Sequence, residues 1–357
     1  VSTLVLDAAG DAARWDEVLR SLPEDAADVY HRAAYVGLQA EGEARARLFV
    51  HRAGAETWAY PFLMRPVRRV GAAVFDPPWH DVEGAYGYGG PVSTARDPAF
   101  LAAAHAAFAA WCREARVVAE FVRLHPLLGN AELLDPAVRV VEDRATVSVA
   151  LEGFRGGAIP FEASARREVG RAERAGLRAR ICPAEGPEFE VFRALYARRM
   201  EQLGADAFYL FGDAYFRGLR ALAAEAGWLA VVEMDERIVA AAVFLRGGSR
   251  LHYHLSAAEV GAAPGATNLL VCAAARRGLE EGLRVLHLGG GRTPAPDDSL
   301  FRFKRRMGTD THPFHIGMRV HDPAAYAGLR AAWEAAHPEL VPVYGGRLLC
   351  YRYGEAQ

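Results

Sequence analysis

One order of strands and helices is written twice along this chain, and that repetition restricts the fold more than any single motif. Residues 3–6 read as a strand, followed by an amphipathic helix carrying Trp15, Val18, Leu19 and Leu22. A second helix is predicted over 24–39, then strands over 44–52 and 57–67, a helix over 97–116, and strands over 117–124 and 144–151. The second half repeats the plan. Helices over 164–176 and 187–203 precede strands at 229–234, 238–246 and 250–255, a helix at 266–281 and a strand at 284–288. One further strand at 315–320 and a helix at 323–335 lead to the closing tail. Such a mixture predicts a duplicated α+β unit, not a doubly wound parallel sheet.

A chain of 357 residues exceeds what one hydrophobic core usually serves, so two domains are expected. Their boundaries are placed at 1–150, with 320–357 packing back on it, and at 151–319. An apolar content of 52% with 24% charged residues indicates a globular chain. Its apolar runs are broken well before membrane-spanning length and no leader pattern opens it, so a cytoplasmic protein without a membrane span is expected. Four scattered cysteines, at 112, 182, 272 and 350, fit reduced buried thiols. No His/Cys/Asp cluster has metal spacing, and no metal or resident cofactor is expected. A net charge of −2 excludes a wholesale nucleic-acid binder while allowing a local basic patch.

Lys304 is the single lysine among 42 basic residues. A compact ammonium differs from the permanently charged guanidinium fork in its three rotatable donors and its readily shifted pKa. A site that aims a point charge at one developing oxyanion can require lysine. Composition alone leaves this open against chance survival of one codon on a solvated face. The surroundings favour the first reading. A short strand runs into Gly289-Gly-Gly291, a Pro-rich turn follows, and Asp297, Asp298 or Ser299 can cap a short helix. On that helix Leu300, Phe303 and Met307 form an apolar stripe, with Lys304 at its margin.

Four other segments carry chemistry. Residues 76–91 combine a glycine and proline density that predicts a shaped loop, on which Tyr86 and Tyr88 are candidate pocket walls or ordinary packing residues. Residues 164–180 hold six arginines against two glutamates, a solvated helix face or a phosphate-binding surface. His252 and His254 flank Tyr253 on one strand and are expected to share a face. The Gly261…Gly265-Ala-Thr-Asn268 turn opens a helix in the manner of an anion-binding start.

Tyr86-Gly-Tyr-Gly-Gly-Pro91, Phe121-Val-Arg-Leu-His-Pro126, Ser164…Arg171-Ala-Glu-Arg-Ala-Gly176, His252-Tyr-His-Leu-Ser-Ala257, Gly265-Ala-Thr-Asn-Leu-Leu270 and His287-Leu-Gly-Gly-Gly291…Asp298-Ser-Leu-Phe-Arg-Phe-Lys304 occur in this order. The ordered set resembles the Fem-type aminoacyltransferases and their relatives in the GNAT N-acyltransferase superfamily. That resemblance implies two tandem GNAT-like domains, each a mixed, mostly antiparallel sheet flanked by helices. It implies transfer of an amino acid from aminoacyl-tRNA, as co-substrate, to an amine on a peptidoglycan precursor or a secondary-metabolite intermediate. Lys304 of the Phe303-Lys304 pair would stabilise the tetrahedral intermediate. Tyr86, Tyr88, Tyr253 and His252 would line the acceptor cleft, Arg166 and Arg171 would meet phosphates, and Asn268 and Asp298 would complete the substrate site. The chain lacks the long helical hairpin of some peptidoglycan members, which leaves a small-molecule acceptor open. An acyl-CoA-dependent N-acyltransferase and a non-catalytic binding protein on the same scaffold are the competing readings.

Overall fold

The computed structural model describes residues 1–204, 209–261 and 264–355, and divides into two compact units. One comprises Val1–Asp143 with Phe314–Gln357, the other Arg144–Pro313. Both boundaries fall a few residues before the expected 150 and 319. No described helix is long and apolar enough to cross a membrane.

The first unit opens with β1 (Ser2–Asp7) and α1 (Ala8–Arg20), whose N-cap Asp7 accepts from the Ala9 amide. The helix expected over 24–39 shrinks to α2 (Ala33–Gly37), because Arg32 is extended and ends a separate short turn, Val29–His31. Two long strands follow, β2 (Arg45–Ala53) and β3 (Glu56–Val70). Next comes β4 (Ala73–Glu83), which corrects the expectation of a loop over 76–91. The β3–β4 ladder jumps from Arg69↔Val74 to Val67↔Trp79, so Pro77 and Pro78 occupy the irregularity, where no paired amide is demanded. Only the Gly84–Pro91 part of that segment remains a connection, ended by β5 (Val92–Ser93) on β3. Then α3 (Pro98–Glu114), N-capped by Asp97, leads to β6 (Val117–Arg123), parallel to β4. Phe49, Trp58, Tyr60, Phe62 and Phe108 form the aromatic core between α3 and the sheet.

The second unit begins within β7 (Arg139–Ala150) and continues with the basic helix α4 (Ala163–Arg174). Two elements depart from the expected plan. Strand β8 (Arg178–Cys182) takes the end of the arginine-rich run, and α6 (Asp213–Ala226) follows α5 (Glu188–Gln202). An antiparallel meander, β9 (Gly227–Met234), β10 (Arg237–Gly247) and β11 (Arg250–Ala258), precedes α7 (Ala266–Glu280). Then come β12 (Val285–Gly290) and α8 (Ser299–Arg305). The sheet order within this unit is β7-β12-β11-β10-β9-β8, with β11 and β12 the parallel pair. Val169 and Ala172 of α4, Leu270 and Ala274 of α7 and Leu286 and Leu288 of β12 share its core with Met307. Burying side chains of this size is worth about 1.5–3 kcal/mol each for the larger aliphatic ones.

The last segment rejoins the first unit. Strand β13 (Asp310–Val320) pairs antiparallel with β6, from Ile316↔Arg123 to Val320↔Ala119. It is followed by α9 (Pro323–Ala336) and α10 (Val341–Tyr344). The tail is tied down by buried polar contacts. Trp333 Nε1 donates to the Tyr353 carbonyl at 2.8 Å, and Arg352 donates to Asp81 at 2.8 Å and to the carbonyls of Pro66 and Arg65. Each unit is thus a mixed sheet flanked by helices.

Candidate active site

The site around Lys304 is made by two strands that part. In the second unit β11 and β12 are paired only over Arg250↔Val285, Leu251↔Leu286 and His252↔His287. Beyond that point Tyr253–Ala258 and Leu288–Gly290 have no partner in each other, so a wedge opens between parallel strands. The corresponding pair in the first unit stays closed. There β4 and β6 remain paired, with one register shift between His80 and Asp81, to Glu83↔Phe121, the Gly84 amide donates to the Phe121 carbonyl, and Gly89 bridges to Leu124.

On the wedge side of β12, the Gly289 backbone is left-handed (φ +77°) and the ladder to β7 shifts between His287 and Gly289. A non-glycine residue would resist that φ. The Gly290 carbonyl then accepts from Lys304 Nζ at 2.8 Å. The ammonium lies 6.0 Å from the ring centre of Tyr253, the first β11 residue past the last paired one. Burial pushes the Lys304 pKa down to about 8, and the Asp298 carboxylate partly opposes the shift. Burial also pushes the Tyr253 phenol up to about 12, so it remains a neutral hydroxyl.

Asp298 sets the position of the lysine. Of the three cap candidates it is the N-cap of α8, its carboxylate accepting from the Leu300 and Phe301 amides at 3.0 and 2.9 Å. The same carboxylate takes the amide and hydroxyl of Thr293 at 3.2 Å. These bonds, the Phe301 amide first, hold its pKa down to about 2. Gly291 lets the turn pass, since a Cβ there would lie 2.5 Å from Asp298 Oδ1. Arg144 closes the turn from β7, donating to the Gly291 and Arg292 carbonyls at 3.0 Å. Phe301 and Phe303 pack against the core, so α8 is anchored by its apolar side while Lys304 is aimed at Gly290.

The structure therefore brings Lys304, Phe303, Asp298 and Tyr253 together. His252 lies on the other face of β11, wholly buried, its ring edge-on to His287 at 5.6 Å. His254, expected to share that face, stays close enough to His252 for the two rings to interact electrostatically. Val243 pairs with Leu255 and Phe244 with Tyr253, so His254 is the extra residue. His254 Nε2 lies 3.0 Å from Tyr215 Oη, and burial pushes its pKa down to about 3, keeping the ring neutral.

Asn268 is buried in the first turn of α7. That helix begins at Gly265, whose left-handed backbone passes so close to α4 that a Cβ would meet the Glu168 carbonyl at 2.1 Å. The anion-binding turn expected over 261–268 includes Ala262 and Ala263, which lie outside the described residues. Arg166 folds back to donate to the Phe161 carbonyl at 2.5 Å, and Arg171 lies 3.9 Å from Glu168. Tyr86 and Tyr88 belong to the first unit. The Tyr86 amide donates to Gln39 and its carbonyl accepts from Tyr35 Oη at 2.6 Å, while the Tyr88 ring packs on Tyr30, His125 and Phe314. Sequence reasoning missed the Gly290 carbonyl and Arg144. The first is a main-chain atom with no side-chain signal, and the second sits on a distant strand.

The arrangement offers one aimed ammonium, on a short capped helix, at the mouth of a gap between parallel strands. It can stabilise negative charge on an oxygen placed in that gap. The sequence description of the acetyltransferase (GNAT) domain family matches residues 161–305. No curated protein sequence matches the chain. Among solved structures, FemX superposes with a TM-score of 0.69 at 12% identity, covering 92% of this chain and 99% of FemX. L-PGS from Bacillus licheniformis gives 0.57 at 15% identity, over 87% and 92%. A tandem GNAT protein from the clavulanic acid biosynthesis pathway gives 0.52 at 12%, over 90% and 99%. Residues 161–305 therefore match an acetyltransferase (GNAT) domain, in a chain whose fold is like that of FemX and of this tandem GNAT protein.

Proposed function

We propose that this chain is an aminoacyltransferase that moves an amino acid from aminoacyl-tRNA to an amine, forming an amide. The observation that carries the reading is the 2.8 Å bond from Lys304 to the Gly290 carbonyl at the opening between β11 and β12. It fixes the ammonium and leaves two of its three protons for a substrate oxygen. In the reaction, the acceptor nitrogen attacks the ester carbonyl carbon and a C–N bond forms. The carbonyl oxygen becomes an oxyanion beside Lys304. The C–O bond to the terminal ribose then breaks, and the proton lost by the amine ends on the released ribose hydroxyl. An amine attacking an activated ester needs no covalent intermediate, so positioning and charge stabilisation supply the rate. The resemblance of the Phe303-Lys304 segment to the Fem-type pattern and the FemX-like fold support this donor class, and an aminoacyl-tRNA donor fits a reaction in the cytoplasm, where aminoacyl-tRNA is made.

The parted strands also favour a second reading, an acyl-CoA-dependent N-acyltransferase, because such a gap suits an extended acyl-bearing arm. One experiment separates the two. The protein and Lys304→Met are incubated with a pool of labelled aminoacyl-tRNAs and either a UDP-linked muramyl pentapeptide or a panel of small amines, with mass spectrometry as the readout. A product heavier by one amino-acid residue, absent with Lys304→Met, is expected. No product with any acceptor, together with a rise in Tm on adding acetyl-CoA, would overturn the proposal in favour of the second reading.

A further inference from the structure

Around Lys304 lie exposed arginines that no acidic partner among the described residues neutralises. On α8, Lys304 faces inward while Arg302 and Arg305, and Arg306 just beyond, are exposed at i, i+3 and i+4. On α4, Ala165, Val169 and Ala172 face the core, and Arg167, Arg171 and Arg174, at i, i+4 and i+7, project from the opposite side. The two helices meet end to end: the Glu162 amide, at the N-cap of α4, donates to the Arg306 carbonyl at 2.8 Å.

Among the described residues, Arg167, Arg174, Arg302, Arg305 and Arg306 make no ion pair, and Arg171 has only the 3.9 Å approach to Glu168. Several surface arginines elsewhere in this unit have acidic partners, while Arg155, Arg178, Arg198 and Arg217 are exposed without an ion pair among the described residues. Arg180 is held by Glu188 and Glu233, Arg237 by Glu259, and Arg277 by Glu281. The α8 segment contains no acid at all, and α4 carries four arginines against two glutamates.

We infer that this arginine band is a docking surface for an RNA backbone, lying outside the site while the strand's end enters it. The inference rests on the aminoacyl-tRNA reading and names where that donor is held. Two features favour RNA over coenzyme A. The band extends along a 12-residue helix, about 18 Å at 1.5 Å per residue, and continues onto a second helix. A ligand with one compact phosphate cluster needs neither that length nor two helices, whereas a nucleic-acid strand repeats phosphates along its course. The residues are arginines whose planar forks suit phosphate oxygens, and none is needed to stabilise its own helix through an ion pair.

The test is equilibrium binding of fluorescent, uncharged total tRNA, read by anisotropy at several salt concentrations. It compares the wild type, Arg302→Gln/Arg305→Gln/Arg306→Gln and Arg167→Gln/Arg174→Gln, each checked for an unchanged Tm. The wild type is expected to bind with an affinity that falls steeply with salt. The triple variant should bind at least tenfold more weakly at physiological salt, with a log–log salt slope shallower by about 2–3, near one unit per lost phosphate contact. The double variant should show about two-thirds of that change in slope. Wild-type binding that neither variant weakens would overturn the docking surface and leave the donor reading standing. A wild type that binds no tRNA would overturn both.

Discussion

The ammonium of Lys304 and the carbonyl oxygen of Gly290 are 2.8 Å apart, although 14 residues and a Pro-rich turn separate them in the chain. That contact exists because the Asp298 cap starts α8 at one fixed residue, while the left-handed Gly289 turns the end of β12 toward it. Removing the side chain's charge tests the pair most directly. Lys304→Met is expected to lower kcat by about 10²–10³-fold, the range for loss of one oxyanion donor. Its Tm near pH 7 should be unchanged or higher, because the variant no longer buries a cation. Steady-state kinetics and a thermal melt on the same preparation check both halves.

Activity and stability should move in opposite directions as pH rises. The folded-state pKa of Lys304 is depressed to about 8 from an ordinary value near 10.5. Between those two values the unfolded chain holds a proton that the folded chain has released, so folding stability contributed by this group increases with pH across that window. Oxyanion stabilisation needs the charged form, so turnover should decline above about pH 8. A pH–rate profile and chemical melts from pH 7 to 10 would show the divergence, and Lys304→Met should lose the stability trend.

The cap makes a separable prediction. Asp298→Ala removes the acceptor for the Leu300 and Phe301 amides and should cost about 0.5–2 kcal/mol, with a fall in kcat as α8 loosens. Asp298→Asn keeps a capping oxygen and should recover most of the stability. Because bonding to amides holds the carboxylate down to about pKa 2, the cap's charged-state contribution is present above pH about 4 and is lost as pH falls toward 2. Urea denaturation of the two variants and the wild type at pH 7 and pH 3 distinguishes these cases.

Glycine 265 tolerates no side chain. A Cβ would sit 2.1 Å from the Glu168 carbonyl, on a backbone at φ +91°. Gly265→Ala should therefore destabilise the protein by more than the ~1–3 kcal/mol of the backbone conformation alone, since α4 must also shift. Gly261→Ala has open space around it and differs only in its φ of +81°, so it should stay within that range. The difference in Tm between the two alanine variants measures the α4–α7 approach.

In the first unit, Arg352 is the partner of the fully buried Asp81. Arg352→Met leaves that carboxylate without its ion pair and should cost about 3–5 kcal/mol at neutral pH. Burial already raises the Asp81 pKa against the pull of Arg352, and removing the arginine raises it further. The loss should therefore shrink as the pH is lowered and Asp81 takes up a proton. Equilibrium unfolding at pH 5 and pH 7 reads the change.

The duplicated order of strands was legible because hairpins, helices and turn residues leave local periodic signals. Lys304 stood out because arginine fills every other basic position in the chain. Strand β4 was not legible, since Asp76-Pro-Pro-Trp reads as a loop unless the gap in the β3 ladder is known. Strand β8 hid in an arginine-rich run that the neighbouring helix also uses. For α6 the signal lies in Tyr215, Leu219, Leu222 and Ala226, and Gly212, Gly218 and Gly227 within and beside the helix mask it. The bulge at His254 and the acceptor at Gly290 depend on register between distant strands, which no local pattern encodes.

The unequal parting of the two parallel strand pairs fixes a stoichiometry. Only β11 and β12 open, while β4 and β6 stay bonded to the end of β4. On the proposed function, two copies of one architecture thus provide a single place for a reacting carbonyl. A donor analogue titrated against the protein should saturate at one equivalent per chain, with a hyperbolic isotherm.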